Sequence, residues 1–211
     1  MNSKTPWVDK DGKSHYIMSE SFLQDARELE KFCDFLDDKA IETYIEVGVF
    51  RGQMLNHMRR RLNLKKCYGA DLRHPSRTSF PGYIPYRNSN VFTDVEPLSS
   101  DIRMFIGNVH TWEYIEWRSR IGDTDLVFID TDHSIPHVFT DVSVEFALGT
   151  AKYIGMHDIE GYPGPKMFWD RVSDDLKLFE VKIGAGMGIG VIKGPRLGGR
   201  LSLNPVDSWK S

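Results

Sequence analysis

The chain has 211 residues, 40% of them hydrophobic, and a formal net charge of −3. That length supports one domain with a sizeable core and is short for two, and the charge supplies no global basic field to draw in nucleic acid. There is no apolar run of membrane-spanning length, no apolar signal-peptide core in the polar opening MNSKTPWVDKDGKSHY, and only two cysteines, Cys33 and Cys67, too few for a disulfide framework.

These features predict a cytoplasmic protein with no membrane or nucleic-acid partner. The basic run Arg59-Arg60-Arg61 reads as a solvated helix face. Both cysteines read as small core residues in a reducing compartment.

In chain order, residues 1–40 form an arm and a helix. Ser21 with Gln24 makes a capping box, and Phe22, Ala26, Leu29, Phe32, Cys33 and Leu36 follow at helical spacing. Short apolar runs then alternate with amphipathic stretches. The runs are Tyr44–Val49, Cys67–Ala70, Met104–Ile106, Leu126–Ile129 and Tyr153–Met156. The helical stretches are marked by Met54, Leu55, Met58 and Leu62, by Trp112, Ile115 and Ile121, and by Val138, Val142 and Phe146. Such alternation implies βαβ crossovers and a mainly parallel sheet covered on both faces. Leu178–Ile183, the turn Gly184-Ala185-Gly186 and Gly188–Lys193 read as a hairpin, so the last strand is antiparallel to its neighbour. The core domain spans 41–193, and the Gly-, Pro- and Ser-rich tail 194–211 reads as irregular. The stretch His74–Pro97 is a long loop of the kind that forms lids, with Phe80, Tyr83, Tyr86 and Phe92 as candidate pocket aromatics.

Three constellations carry chemistry. In YIEVGVFRG, Tyr44–Gly52, an apolar strand ends in Gly48, which lets the backbone approach a ligand, and Gly52 opens a helix. The following strand ends in Asp71, placed to accept hydrogen bonds from ribose hydroxyls or, alternatively, to cap a turn. Glu46 stands where a dinucleotide fingerprint has glycine. A carboxylate there repels a pyrophosphate and suits a ligand with a cationic amino group, favouring S-adenosylmethionine over NAD. Next, DLVFIDTDHS delivers Asp130, Asp132 and His133 to a strand end, and YIGMHDIEG delivers His157 and Asp158 to another. Two carboxylates and an imidazole at one sheet edge suit a divalent cation; the alternative is a hydrated acidic rim.

Taken in order, YIEVGVFRG, YGADLR, DLVFIDTDHS, YIGMHDIEG, PGPKMFWDRV and GMGIGVIK resemble the class I S-adenosylmethionine-dependent methyltransferases over Ile41–Lys193. The nearest resemblance is to the metal-dependent small-molecule O-methyltransferases of the catechol and macrocin type. The resemblance implies a Rossmann-like α/β fold with a seven-stranded, mostly parallel sheet, an antiparallel last strand and helices on both faces. It implies that Glu46, Gly48 and Gly52 flank the methionine part of the cofactor, that Asp71 holds the ribose, and that Asn108 contacts the adenine. It further implies that Asp130 touches the cofactor and shares a metal ion, Mg²⁺ by preference, with His157 and Asp158. His133 matches the general base, with His137 as the alternative. Two departures stand out: Ile159 where catechol-type enzymes commonly have Asn, and His157 where macrocin-type enzymes have an acidic ligand. The implied activity is O-methylation of a small-molecule acceptor by a monomer or homo-oligomer. A metal-independent methyltransferase and a non-catalytic binding or scaffold protein share the same fold.

Overall fold

Buried strands need apolar residues on both faces, and the continuous apolar runs of this chain meet that need by pairing into one sheet. The structure is a computed structural model that describes residues 7–8, 14–15, 26–50, 52–72, 98–183 and 187–204. The sheet strands are β3 (Thr43–Val47), β4 (Lys66–Asp71), β5 (Arg103–Ile106), β6 (Thr124–Ile129), β7 (Ala151–His157), β8 (Lys177–Val181) and β9 (Ile189–Lys193). Two preceding strands, β1 (Trp7–Val8) and β2 (Ser14–His15), form a small antiparallel pair of their own. The main order is β5-β4-β3-β6-β7-β9-β8. Neighbours from β5 to β7 are parallel, and β9 is antiparallel to both β7 and β8. This is the seven-stranded Rossmann-like arrangement that the sequence implies.

Helices cover both faces. On one, Leu29, Phe32, Cys33 and Leu36 of α1 (Ala26–Asp37) and Met54, Leu55 and Met58 of α2 (Gln53–Leu62) pack with Tyr44, Leu126 and Phe128. On the other, Tyr114 of α3 (Trp112–Ile121), Val138 and Val142 of α4 (Ile135–Leu148), and Phe168 and Trp169 of α5 (Pro163–Arg171) pack with Ile45, Val127 and Ile154. The Ser21–Gln24 cap, Phe22, the loop His74–Pro97 and the turn Gly184–Gly186 lie outside the described residues.

The chain leaves β3 toward β4 and β5, then returns to place β6 on the other side of β3. Connections therefore diverge at the carboxyl ends of β3 and β6, where open α/β sheets leave a crevice. After β9, the segment read as irregular makes a 3₁₀ turn at Pro195–Leu197. It then runs back past α5, with Leu203 bridging to Val172. Among the described residues, no helix is long and apolar enough to cross a membrane.

Candidate functional site

The crevice begins at Gly48. Its φ of +92° is open to glycine, and a Cβ there would stand 1.9 Å from the carbonyl oxygen of Asp130. Glycine thus lets β3 and β6 diverge while their loops remain in contact. The next residue but one, Phe50, has a φ of +50°, and its N–H donates to Asp71 Oδ2 at 2.7 Å. The Asp71 carboxylate therefore both fixes the glycine loop and lines the crevice. Gly52, with a φ of 78°, starts α2.

A cavity of about 420 Å³ opens over these strand ends. It is lined by Gly48, Phe50, Asp71, Asn108, Asp130 and His137 among others. Four of the sequence-predicted cofactor residues, Gly48, Asp71, Asn108 and Asp130, meet in this one space. Gly52 and Glu46 are not among its lining. Glu46 is buried on the α1 face, where Tyr44 Oη donates to its Oε2 at 2.8 Å. Burial, together with the negative field of Asp130 and Asp71, holds the Glu46 carboxyl well above the usual carboxylate range, against the hydrogen bond from Tyr44.

Beside the cavity, the ends of β6 and β7 bring together a charged cluster. Donor atoms of Asp130, His133 and Asp158 all lie within 4.8 Å of one another. His133 Nε2 is 2.7 Å from Asp158 Oδ2 and 3.5 Å from Asp130 Oδ1. His157 approaches from beneath, its Nδ1 3.4 Å from Asp130 Oδ1 and 3.2 Å from Asp158 Oδ1. Burial opposes charge on both imidazoles, but the carboxylates prevail, raising His133 to about 9 and His157 to about 10. Burial likewise disfavours charge on Asp130, yet the two histidines hold its carboxyl well below the usual range.

Several local devices aim these groups. Asp158 has a φ of +61°, and its carbonyl accepts from the N–H of Gly161 and of Tyr162. Aspartate tolerates this left-handed turn better than most residues do. The Tyr162 ring stacks on His133 with centroids 4.1 Å apart. Gly164 donates its N–H to the His133 carbonyl, and a Cβ there would come within 2.3 Å of that oxygen. In this way α5 grips the backbone of His133 directly.

A second polar wall was visible in sequence only through Asp132 and His137. His110 Nε2 lies 2.8 Å from Asp141 Oδ1, and Thr131 Oγ1 donates to the other oxygen of Asp141. The His110 ring stacks on His137 at 4.2 Å, and His137 Nδ1 lies 3.3 Å from Asp132 Oδ2. Both rings line the cavity. Asn108, within the same loop, accepts from the His110 N–H through Oδ1 at 2.9 Å. Asp141 sits mid-helix in α4, 31 positions from His110, so no local spacing announces the pair.

Solved structures share this architecture. An O-methyltransferase from Bacillus cereus in complex with SAH matches with a TM-score of 0.55 at 12% identity, over 81% of this chain and 82% of that one. Cofactor-bound Rv0187 from MTB also gives 0.55 at 12% identity, over 82% of this chain and 81% of that chain. The methyltransferase domain of bacterial CtHen1-CN gives 0.50 at 10% identity, over 78% and 96%. At such identities the likeness establishes the fold, which is the Rossmann-like methyltransferase fold. No protein-family model matches the chain, and no curated protein matches it in sequence.

Proposed function

We propose that the chain is an S-adenosylmethionine-dependent methyltransferase that acts on a hydroxyl oxygen of a small molecule (a sugar, polyketide or catechol-like acceptor), assisted by a divalent cation. The observation that carries this reading is the convergence of Gly48, Asp71, Asn108 and Asp130 on one cavity that abuts the Asp130–His133–Asp158 cluster.

The cofactor supplies a methyl group already activated on a sulfonium, so the protein's task is mainly alignment. Asp71 would hold the ribose hydroxyls, while its Oδ2 fixes the loop at Phe50. Gly48 allows the backbone to approach the ligand. Asn108 lines the same cavity, where it would contact the adenine.

The cluster suits a cation. It offers two carboxylates and an imidazole nitrogen in mutual reach, and Asp158 Oδ1 is buried without a hydrogen-bond partner. Asp130 and Asp158 would hold the ion, with His157 as the nitrogen donor so that His133 is left to act as the base; oxygen-rich ligation suits Mg²⁺ or Mn²⁺. A bound divalent ion would supply Lewis acidity toward acceptor oxygens and, by competing for the same carboxylates, favour the neutral form of His133. His133 then stands as the base that accepts the hydroxyl proton, held in place by Tyr162 and the backbone of Gly164. A metal-independent methyltransferase is the second reading, favoured by one observation: His133 and His157 already balance both carboxylates.

Calorimetric titration with S-adenosylhomocysteine, with and without Mg²⁺ and beside NAD⁺, tests the reading. We expect micromolar-range binding of the homocysteine compound and none of NAD⁺. A folded protein that binds neither removes the methyltransferase reading in favour of a scaffold role. Turnover insensitive to chelator, once an acceptor is found, selects the metal-independent form.

A further inference from the structure

A buried carboxylate far from the cavity in sequence reaches toward the site through the hairpin. Glu28 lies in the first turn of α1 and is 0% exposed. Its Oε1 accepts the N–H of Ile183 at 2.6 Å, and its Oε2 accepts the N–H of Gly188 at 3.2 Å. These two amides flank the connection between β8 and β9. One side chain on the N-terminal helix therefore fixes the separation of the two hairpin arms.

The same end of the hairpin supports the turn that carries Asp158. Gly188 has a φ of +72°, and a Cβ added there would come within 2.9 Å of Ile159 Cγ1. Ile159 itself is fully buried. Met187 accepts the N–H of Glu160 at 3.0 Å, and Lys182 Nζ lies 3.0 Å from Glu160 Oε2. His157 pairs with Ile189 in the sheet register. Hairpin residues thus touch or pair with 157, 159 and 160, the neighbours of the one non-glycine residue in this turn held at positive φ. A residue in that conformation persists only where its surroundings over-determine it.

We propose that Glu28 is a positioning residue for Asp158: by clamping the two arms of the β8–β9 hairpin, it holds the 158–160 turn so that the Asp158 carboxylate faces Asp130 and His133. The proposal rests on the reading of that cluster as the working site. It gives Ile159 a reason, since its buried apolar side chain is what packs under Gly188. It also gives the N-terminal helix a part in the site without contact to any ligand.

The test compares Glu28→Ala and Glu28→Gln in the full chain by residue-resolved amide hydrogen exchange, with Mn²⁺ alone and S-adenosylhomocysteine as binding probes. Losing a buried hydrogen bond should speed exchange by about tenfold. We expect that increase in Glu28→Ala at Ile183 and Gly188 and also at Glu160, Gly161 and Tyr162, with β3 and β6 amides unchanged. Mn²⁺ affinity should fall by about tenfold, the usual effect of losing an outer support, while adenosylhomocysteine affinity holds. Glu28→Gln, which keeps one acceptor oxygen, should recover part of both effects, and it carries the test if the alanine variant does not fold. Faster exchange confined to Ile183 and Gly188 would overturn the proposal and leave Glu28 a hairpin cap. If the wild type binds neither probe, the functional reading fails, whereas the exchange pattern at 160–162 still decides the clamp.

Discussion

Single residues show how closely backbone and chemistry are tied at the crevice. Gly48 carries two separate demands, a φ of +92° and a Cβ position 1.9 Å from a backbone oxygen of Asp130. Left-handed backbone costs a residue with a Cβ roughly 1–2 kcal/mol, and forcing a group into packed surroundings costs about 1–3 kcal/mol more. Gly48→Ala should therefore lower stability by about 2–5 kcal/mol, read as a shift of the urea midpoint at unchanged slope. It should also weaken adenosylhomocysteine binding, because Asp130 is pushed from its place. Gly149→Ala, at a φ of 73° with open space around its Cβ position, should cost only the backbone part, about 1–2 kcal/mol. Equal midpoints for the two variants would show that the loop relaxes around a methyl group and that Gly48 has no special role in spacing β3 from β6.

At the level of elements, the central strands β3, β6 and β7 were legible because a buried strand must be largely apolar along its length, and the closing hairpin because a glycine-rich turn separates its two runs. Helix α3 was harder to read. Its marker Trp112 is 74% exposed, whereas the buried residues are Tyr114 and Arg118. A charged residue on the inner face breaks the apolar period, and only the partner explains it. Arg118 Nη2 meets Glu145 Oε2 of α4 at 2.8 Å, and its Nε lies 3.1 Å from Oε1. The same limit hid the His110–Asp141 wall, whose members belong to separate elements, while Gly48, Asp71 and Asp130 were readable because strand ends converge by topology, and Asn108 through the resemblance. Burial pushes the Glu145 carboxyl up, and Arg118 opposes that push. Removing one partner of such a pair leaves the other charge buried and costs about 3–5 kcal/mol, whereas replacing both by apolar residues is often near neutral. Arg118→Met should thus destabilise strongly, and adding Glu145→Leu should recover most of the loss in thermal unfolding. A double variant no better than the single would mean that the pair is stabilising in its own right.

Across the whole molecule, the question is whether α1 is an appendage or part of the cooperative core. Its apolar stripe argues for the core: Leu29, Phe32, Cys33 and Leu36 are all buried, and the Phe32 ring lies 5.4 Å from that of Phe128 on β6. Glu28 ties the same helix to the hairpin. The two cysteines report on this directly, because Cys33 sits on α1 and Cys67 on β4 within one hydrophobic cluster. Burial pushes both thiols up to about 12, so neither supplies thiolate at pH 8 and alkylation must wait for opening. If α1 belongs to the core, both should be alkylated at one common rate that follows global unfolding. Faster labelling of Cys33 alone would make α1 a separately opening arm. The thiols also set a pH dependence. In the unfolded chain they ionise near the ordinary value of 9.0, in the native protein only near 12. Between these values the unfolded state binds fewer protons, so stability is retained below pH 9 and falls as pH rises, by up to about 1.4 kcal/mol per pH unit for each thiol. Replacing Cys67 by alanine should flatten that alkaline slope, and an unchanged slope would show that the thiols do not govern it.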